Sequence, residues 1–70
     1  MPDDFIKEVA GSLESQLAEA KANLEKLHKL ITFAREAGLD VTEHLARARE
    51  LENKIKKLEH AIELAKSGKL

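Results

Sequence analysis

The chain has 70 residues, no cysteine, and twelve Lys and Arg against thirteen Asp and Glu, for a net charge of −1 at pH 7. A chain this short makes one domain, residues 1–70, that buries only about 60% of its unfolded surface, and without cysteine neither a disulfide framework nor a thiolate metal cluster can reinforce it. Balanced charge argues against a nucleic-acid or anionic-membrane partner, no apolar run approaches the ~18 residues of a membrane span, and the acidic start Met1-Pro2-Asp3-Asp4 is unlike a basic targeting segment, so a cytoplasmic or recombinant setting is expected.

From Ile6 onward apolar residues recur in alternating steps of four and three: Ile6, Ala10, Leu13, Leu17, Ala20, Leu24, Leu27, Ile31, Ala34. This is a heptad seam, and it predicts an amphipathic helix over about 4–37. Asp3 and Asp4 suit the positive start of that helix. Gly11-Ser12 interrupts the good helix formers, and two readings follow. Either the helix continues through Gly11 and its first two turns overhang the rest, or Ser12 caps a new helix and residues 3–10 fold back to give a three-helix mini-bundle.

A reversal is signalled at Gly38 and Leu39. Gly38 suits the left-handed residue that ends a helix, and Asp40-Val41-Thr42-Glu43 reads as a capping box with Asp40 as N-cap. Leu39 is expected to pack back on Phe33 or Ala34 and forward on His44 or Leu45. The second helix is predicted over about 41–66, with Val41, His44, Ala48, Leu51, Ile55, Leu58, Ile62 and Ala65 on its seam and Lys66 and Gly68 closing it. His44 reads as a half-buried packing residue.

A short loop makes the helices antiparallel neighbours, so facing positions should sum to a constant. Ile31 then faces Ala48, Leu27 faces Leu51, Leu24 faces Ile55, Ala20 faces Leu58, Leu17 faces Ile62 and Leu13 faces Ala65. On one flank the same arithmetic pairs Glu14 with Lys66, Lys21 with Glu59 and His28 with Glu52, a charged edge that specifies the register. On the other flank Leu30, Phe33 and Ala37 cluster near the loop, and Phe5, Val9, Ala61 and Leu64 near the open end, with Gln16, Glu19, Asn23, Lys26, Arg47, Lys54 and Lys57 between. Two helices cannot enclose that stripe. Those seven apolar residues are therefore the candidate interface, for a second copy or for another protein.

Chemistry is thinly represented. Glu25 and His28 make a Glu-x-x-His step that, with Glu52, has the ligand types of a di-iron bundle, but Leu24 and Leu27 hold the inward positions and no metal is expected. His28, His44 and His60 stand too far apart in a hairpin to share an ion, and no serine or threonine has a His–carboxylate pair beside it. With no pocket signature and no glycine-rich loop, the expectation is a non-enzymatic chain without catalytic residues, cofactor or small-molecule ligand.

The length, the hairpin and a core mixing small and large residues are similar, in architecture alone, to Rop-type four-helix-bundle hairpins, and the agreement of caps, register and surface charge resembles a designed or optimised helical scaffold. The likeness to Rop-type hairpins implies dimerisation into a four-helix bundle, and for the basic stretch Arg47, Arg49, Lys54, Lys56 and Lys57 it implies an RNA contact. Glu50, Glu52 and Glu59 interleave with those residues, so a solvated face is the better expectation there. All-α architecture, a helical hairpin completed by dimerisation, and a self-association or protein-binding role are the readings carried forward.

Overall fold

The computed structural model describes residues 2–68, with side chains from residue 4 onward. It consists of two helices, α1 over Pro2–Glu36 and α2 over Thr42–Ser67, packed against each other as an antiparallel hairpin. The molecule is a rod of 55 × 15 × 13 Å with a radius of gyration of 16.0 Å, against about 11 Å for a compact chain of this length.

The α1 helix is continuous through Gly11, so no three-helix bundle forms. Gly11 has no positive φ, and a methyl group there would meet nothing within 4 Å. The seam on both sides of Gly11 keeps one phase, and a single interior glycine costs only about 1 kcal/mol relative to alanine. Gly11→Ala should therefore stabilise the fold by up to about that amount, raising the melting temperature by about 4–8 °C. A lower melting temperature in a circular-dichroism scan would show that the chain needs a break at this point. The helix begins at Pro2, earlier than expected, because a proline's missing N–H has no helical partner in the first turn anyway. The charge expected of Asp3 lies outside the described side chains.

The reversal is a backbone device. Gly38 adopts φ 77°, its N–H donates to the carbonyl of Arg35 at 3.0 Å, and the Leu39 N–H donates to the carbonyl of Ala34 at 2.9 Å. These are the two bonds of a Schellman motif, and they satisfy carbonyls that the helix end would leave unpaired. Leu39 does not clamp the turn as expected: it is 64% exposed. The hydrogen bonds fix the chain path without it.

The N-cap position of α2 falls to Val41 rather than to the expected Asp40, and the capping box does not form around Asp40. Its Oδ1 accepts the Thr42 N–H at 2.9 Å and the Thr42 hydroxyl at 2.6 Å, while Val41 stands immediately before the helix with no side-chain cap of its own. Thr42 supplies both donors to Asp40, and no bond between Glu43 and Asp40 forms among the described residues. Both Thr42 bonds favour the carboxylate, hydroxyl first, and hold the Asp40 pKa below its ordinary value. A depressed carboxyl stabilises the fold above the unfolded-state pKa, and the gain disappears as pH falls through the folded value. Asp40→Asn should accordingly lose less stability than the parent between about pH 5 and pH 2, read as the shift of the urea midpoint. Parallel midpoint curves would show that Asp40 charge adds nothing to the start of α2.

Three cross-helix ion pairs set the register: Lys66 Nζ to Glu14 Oε1 at 3.0 Å, Lys21 Nζ to Glu59 Oε2 at 3.8 Å and His28 Nε2 to Glu52 Oε1 at 3.9 Å. All are at least half exposed, and the last is a full ion pair only when the imidazole is protonated, so each is worth little in stability. The rungs they fix differ in burial. Ala20, Ile31, Ala34, Ala48, Leu58, Ile62 and Ala65 are buried; Ile31 with Ala48 and Ala20 with Leu58 set a small residue against a large one, while Ile62 is buried against the half-buried Leu17. Leu24, Leu27, Leu51 and Ile55, where large meets large, are only half-buried, because two helices cannot wrap such a rung from both sides. His44 is half-buried on the seam as expected.

Candidate interaction surface

The helix lengths decide what is left open at one end. With 35 residues in α1 and 26 in α2, and a register that sets Ser67 opposite the Gly11-Ser12 step, the first two turns of α1 project beyond the hairpin. Phe5 is 68% exposed there, and Ile6, Val9 and Ala10 are half-buried. Ala61 and Leu64, on the last turns of α2, are also half-buried.

Toward the loop, α1 sets Leu30, Phe33 and Ala37 on one face by their spacing of three and four. Phe33 is 72% exposed, and Leu30 and Ala37 are exposed with it. Beside them lies a groove of about 380 Å³ lined by Asn23, Lys26, Leu27, Leu30, Arg47 and Leu51. Its floor is the half-buried rung Leu27–Leu51. Its rim is polar and mostly basic, and a smaller depression of about 180 Å³ adjoins it over Arg47, Glu50, Leu51 and Lys54. The open flank is thus an apolar stripe with a polar middle, and all seven candidate interface residues carry exposed or half-exposed apolar surface.

The charged flank holds a second groove, of about 400 Å³, near the loop. It is lined by His28, Ile31, Thr32, Arg35, Leu45, Ala48, Arg49 and Glu52. Leu45, expected to support Leu39, is 43% exposed on it. The basic stretch of α2 is consequently not one patch: Arg47 lines the open flank and Arg49 the charged one.

Among the described residues no three His, Asp or Glu side chains gather where they could hold a metal ion. Glu25 turns to Lys29 at 3.8 Å, away from the His28–Glu52 pair. No helix of the described residues is long and apolar enough to cross a membrane. No family model matches the chain, and neither a curated protein nor a solved structure is found similar to it.

Proposed function

We infer that the chain is a non-enzymatic self-association module, a helical scaffold in the manner of designed hairpins, in which two copies join through the open flank as an antiparallel four-helix bundle. The observation that carries this reading is area. The chain exposes 5572 Å², whereas a compact protein of its 7.8 kDa exposes about 4,400 Å². The excess, about 1,200 Å², exceeds the ~800 Å² per partner of a standard interface and fits the larger interfaces of obligate homodimers.

The seven apolar residues suit an antiparallel two-fold arrangement. If positions on the two α1 helices sum to about 42, Phe33 of one copy lies against Val9 of the other and Ala37 against Phe5. The hairpin register then carries Leu64 of α2 to Leu51 of the second copy, where the groove between Leu27, Leu30 and Leu51 receives it. In the middle, Asn23 meets Glu19 and Lys26 meets Gln16. Only Lys57 approaches its own copy. Each Phe or Leu side chain that becomes buried contributes about 1.5–3 kcal/mol, and symmetry counts each twice, which is enough to offset the loss of free motion.

A second reading, a module that docks a different protein on the same flank, draws support from charge. Lys26, Arg47, Lys54 and Lys57 outnumber Glu19 and Glu50 there although the chain as a whole carries −1, so a foreign occupant would be acidic. Sedimentation equilibrium of the whole chain from micromolar to millimolar concentration separates the two. Twice the chain mass supports self-association, and a helical monomer throughout removes it.

A further inference from the structure

The ion-pair ladder on the charged flank advances by seven residues on each helix, in opposite directions. Glu14–Lys66, Lys21–Glu59 and His28–Glu52 are its first three rungs. One more step of seven gives Arg35 opposite Leu45. The ladder therefore ends on a mismatched rung, with a leucine where an acid would complete the series. The groove of about 400 Å³ opens at this rung, with Arg35 and Leu45 both in its lining and Arg49, one turn beyond Leu45, joining them. Neither Arg35 nor Arg49 takes part in an ion pair among the described residues. Ile31 and Ala48, both buried, form an apolar floor beneath them.

We propose that this loop-end groove on the charged flank docks an acidic amphipathic helix of a partner protein, which supplies the carboxylate missing opposite Arg35 and an apolar side chain to cover Leu45. Guanidinium groups bind carboxylates through two parallel N–H···O bonds and are weakly hydrated, so two unpaired arginines beside an apolar floor select an acid flanked by hydrocarbon over either feature alone. Arg49 stands one helical turn from Leu45 on α2, so Glu and Leu four residues apart on one face of the partner meet Arg49 and Leu45 together, with Arg35 lining the same groove from α1. The surface lies on the flank opposite the one assigned to self-association. It is open in a monomer and in the dimer alike.

The test is a titration of the full-length, ¹⁵N-labelled chain with a synthetic alanine-based helical peptide carrying Leu and Glu four residues apart on one face, and with its counterpart in which each Glu is Lys. Amide shifts centred on Arg35, Leu45 and Arg49 are expected with the acidic peptide and not with the basic one. Leu45→Glu closes the fourth rung from within, leaves the core residues untouched, and should weaken binding by about tenfold or more while the chain stays folded. Arg35→Ala should weaken it likewise, and Phe33→Glu should not. No shifts at millimolar peptide, equal shifts with the basic peptide, shifts centred on Leu30 and Phe33, or undiminished binding by Leu45→Glu would each overturn the proposal. None of those outcomes bears on the sedimentation result.

Discussion

Phe33→Glu should convert the assembly to a monomer. Among the described residues Phe33 is the most exposed large apolar one, and in the proposed dimer it is buried twice, once against Val9 of each copy. Losing two buried phenyl rings removes about 3–6 kcal/mol, which weakens association by roughly 100-fold to 10,000-fold. Two carboxylates facing an apolar contact add a desolvation penalty on top. Nothing inside the hairpin depends on this ring, so the variant should remain helical, with a lower melting temperature that no longer depends on concentration. Glu52→Gln is the matched control: it touches only the exposed His28 contact on the other flank and should leave the mass unchanged. Identical sedimentation of the parent and Phe33→Glu at tens of micromolar would remove the open flank from the interface.

Gly38→Val is expected to be the most damaging single change within the hairpin. A β-branched residue at φ 77° is strained by about 1–3 kcal/mol, equivalent to a drop of roughly 5–20 °C for a domain of this size. Crowding plays no part, since a Cβ at Gly38 has open space around it. Gly68→Val isolates the role of the site, because Gly68 has nearly the same backbone angle, φ 73°, and equally open surroundings. At Gly68 the strain can be relieved by fraying the last turn of α2, where the terminal bond to Ala65 is already long at 3.3 Å. At Gly38 it cannot, because both Schellman bonds and the direction of α2 rest on that angle. Equal shifts for the two valine variants would mean that the hairpin does not depend on its turn.

What was legible in the sequence is what depends on period alone. The seam, the antiparallel register and the three ion pairs follow from steps of three, four and seven and from a loop too short for any other arrangement, and all appear in the structure. The open flank was legible for the same reason, as apolar residues off the seam. Details that depend on backbone angles were not. Leu39 has the composition of a clamp, but whether it turns inward is decided by the geometry of the Schellman turn, and the capping box fails because Val41, one residue after Asp40, holds the N-cap position and takes Glu43 out of the third helical place. The groove at Leu45 was missed although a periodic signal was present. Extending the ladder from His28 and Glu52 by one more heptad would have exposed the unmatched rung.

The constant-sum register also orders the rungs in time. Ile31 and Ala48 close the shortest loop of chain and Leu13 and Ala65 the longest, so each rung that forms shortens the loop left for the next, and chain closure is cheapest at Gly38 and dearest at Ser67. A polypeptide arranged this way folds by zipping outward from its turn, with mostly local steps, in the microsecond-to-millisecond range of helical proteins. Unfolding runs the other way, opening first at the end where Leu13 and Ala65 meet. The hairpin is thus kinetically polarised: its loop end is a nucleus and its open end a fraying fork, and any contact that joins the fork of one copy to the nucleus of another guards the half that opens first with the half that opens last.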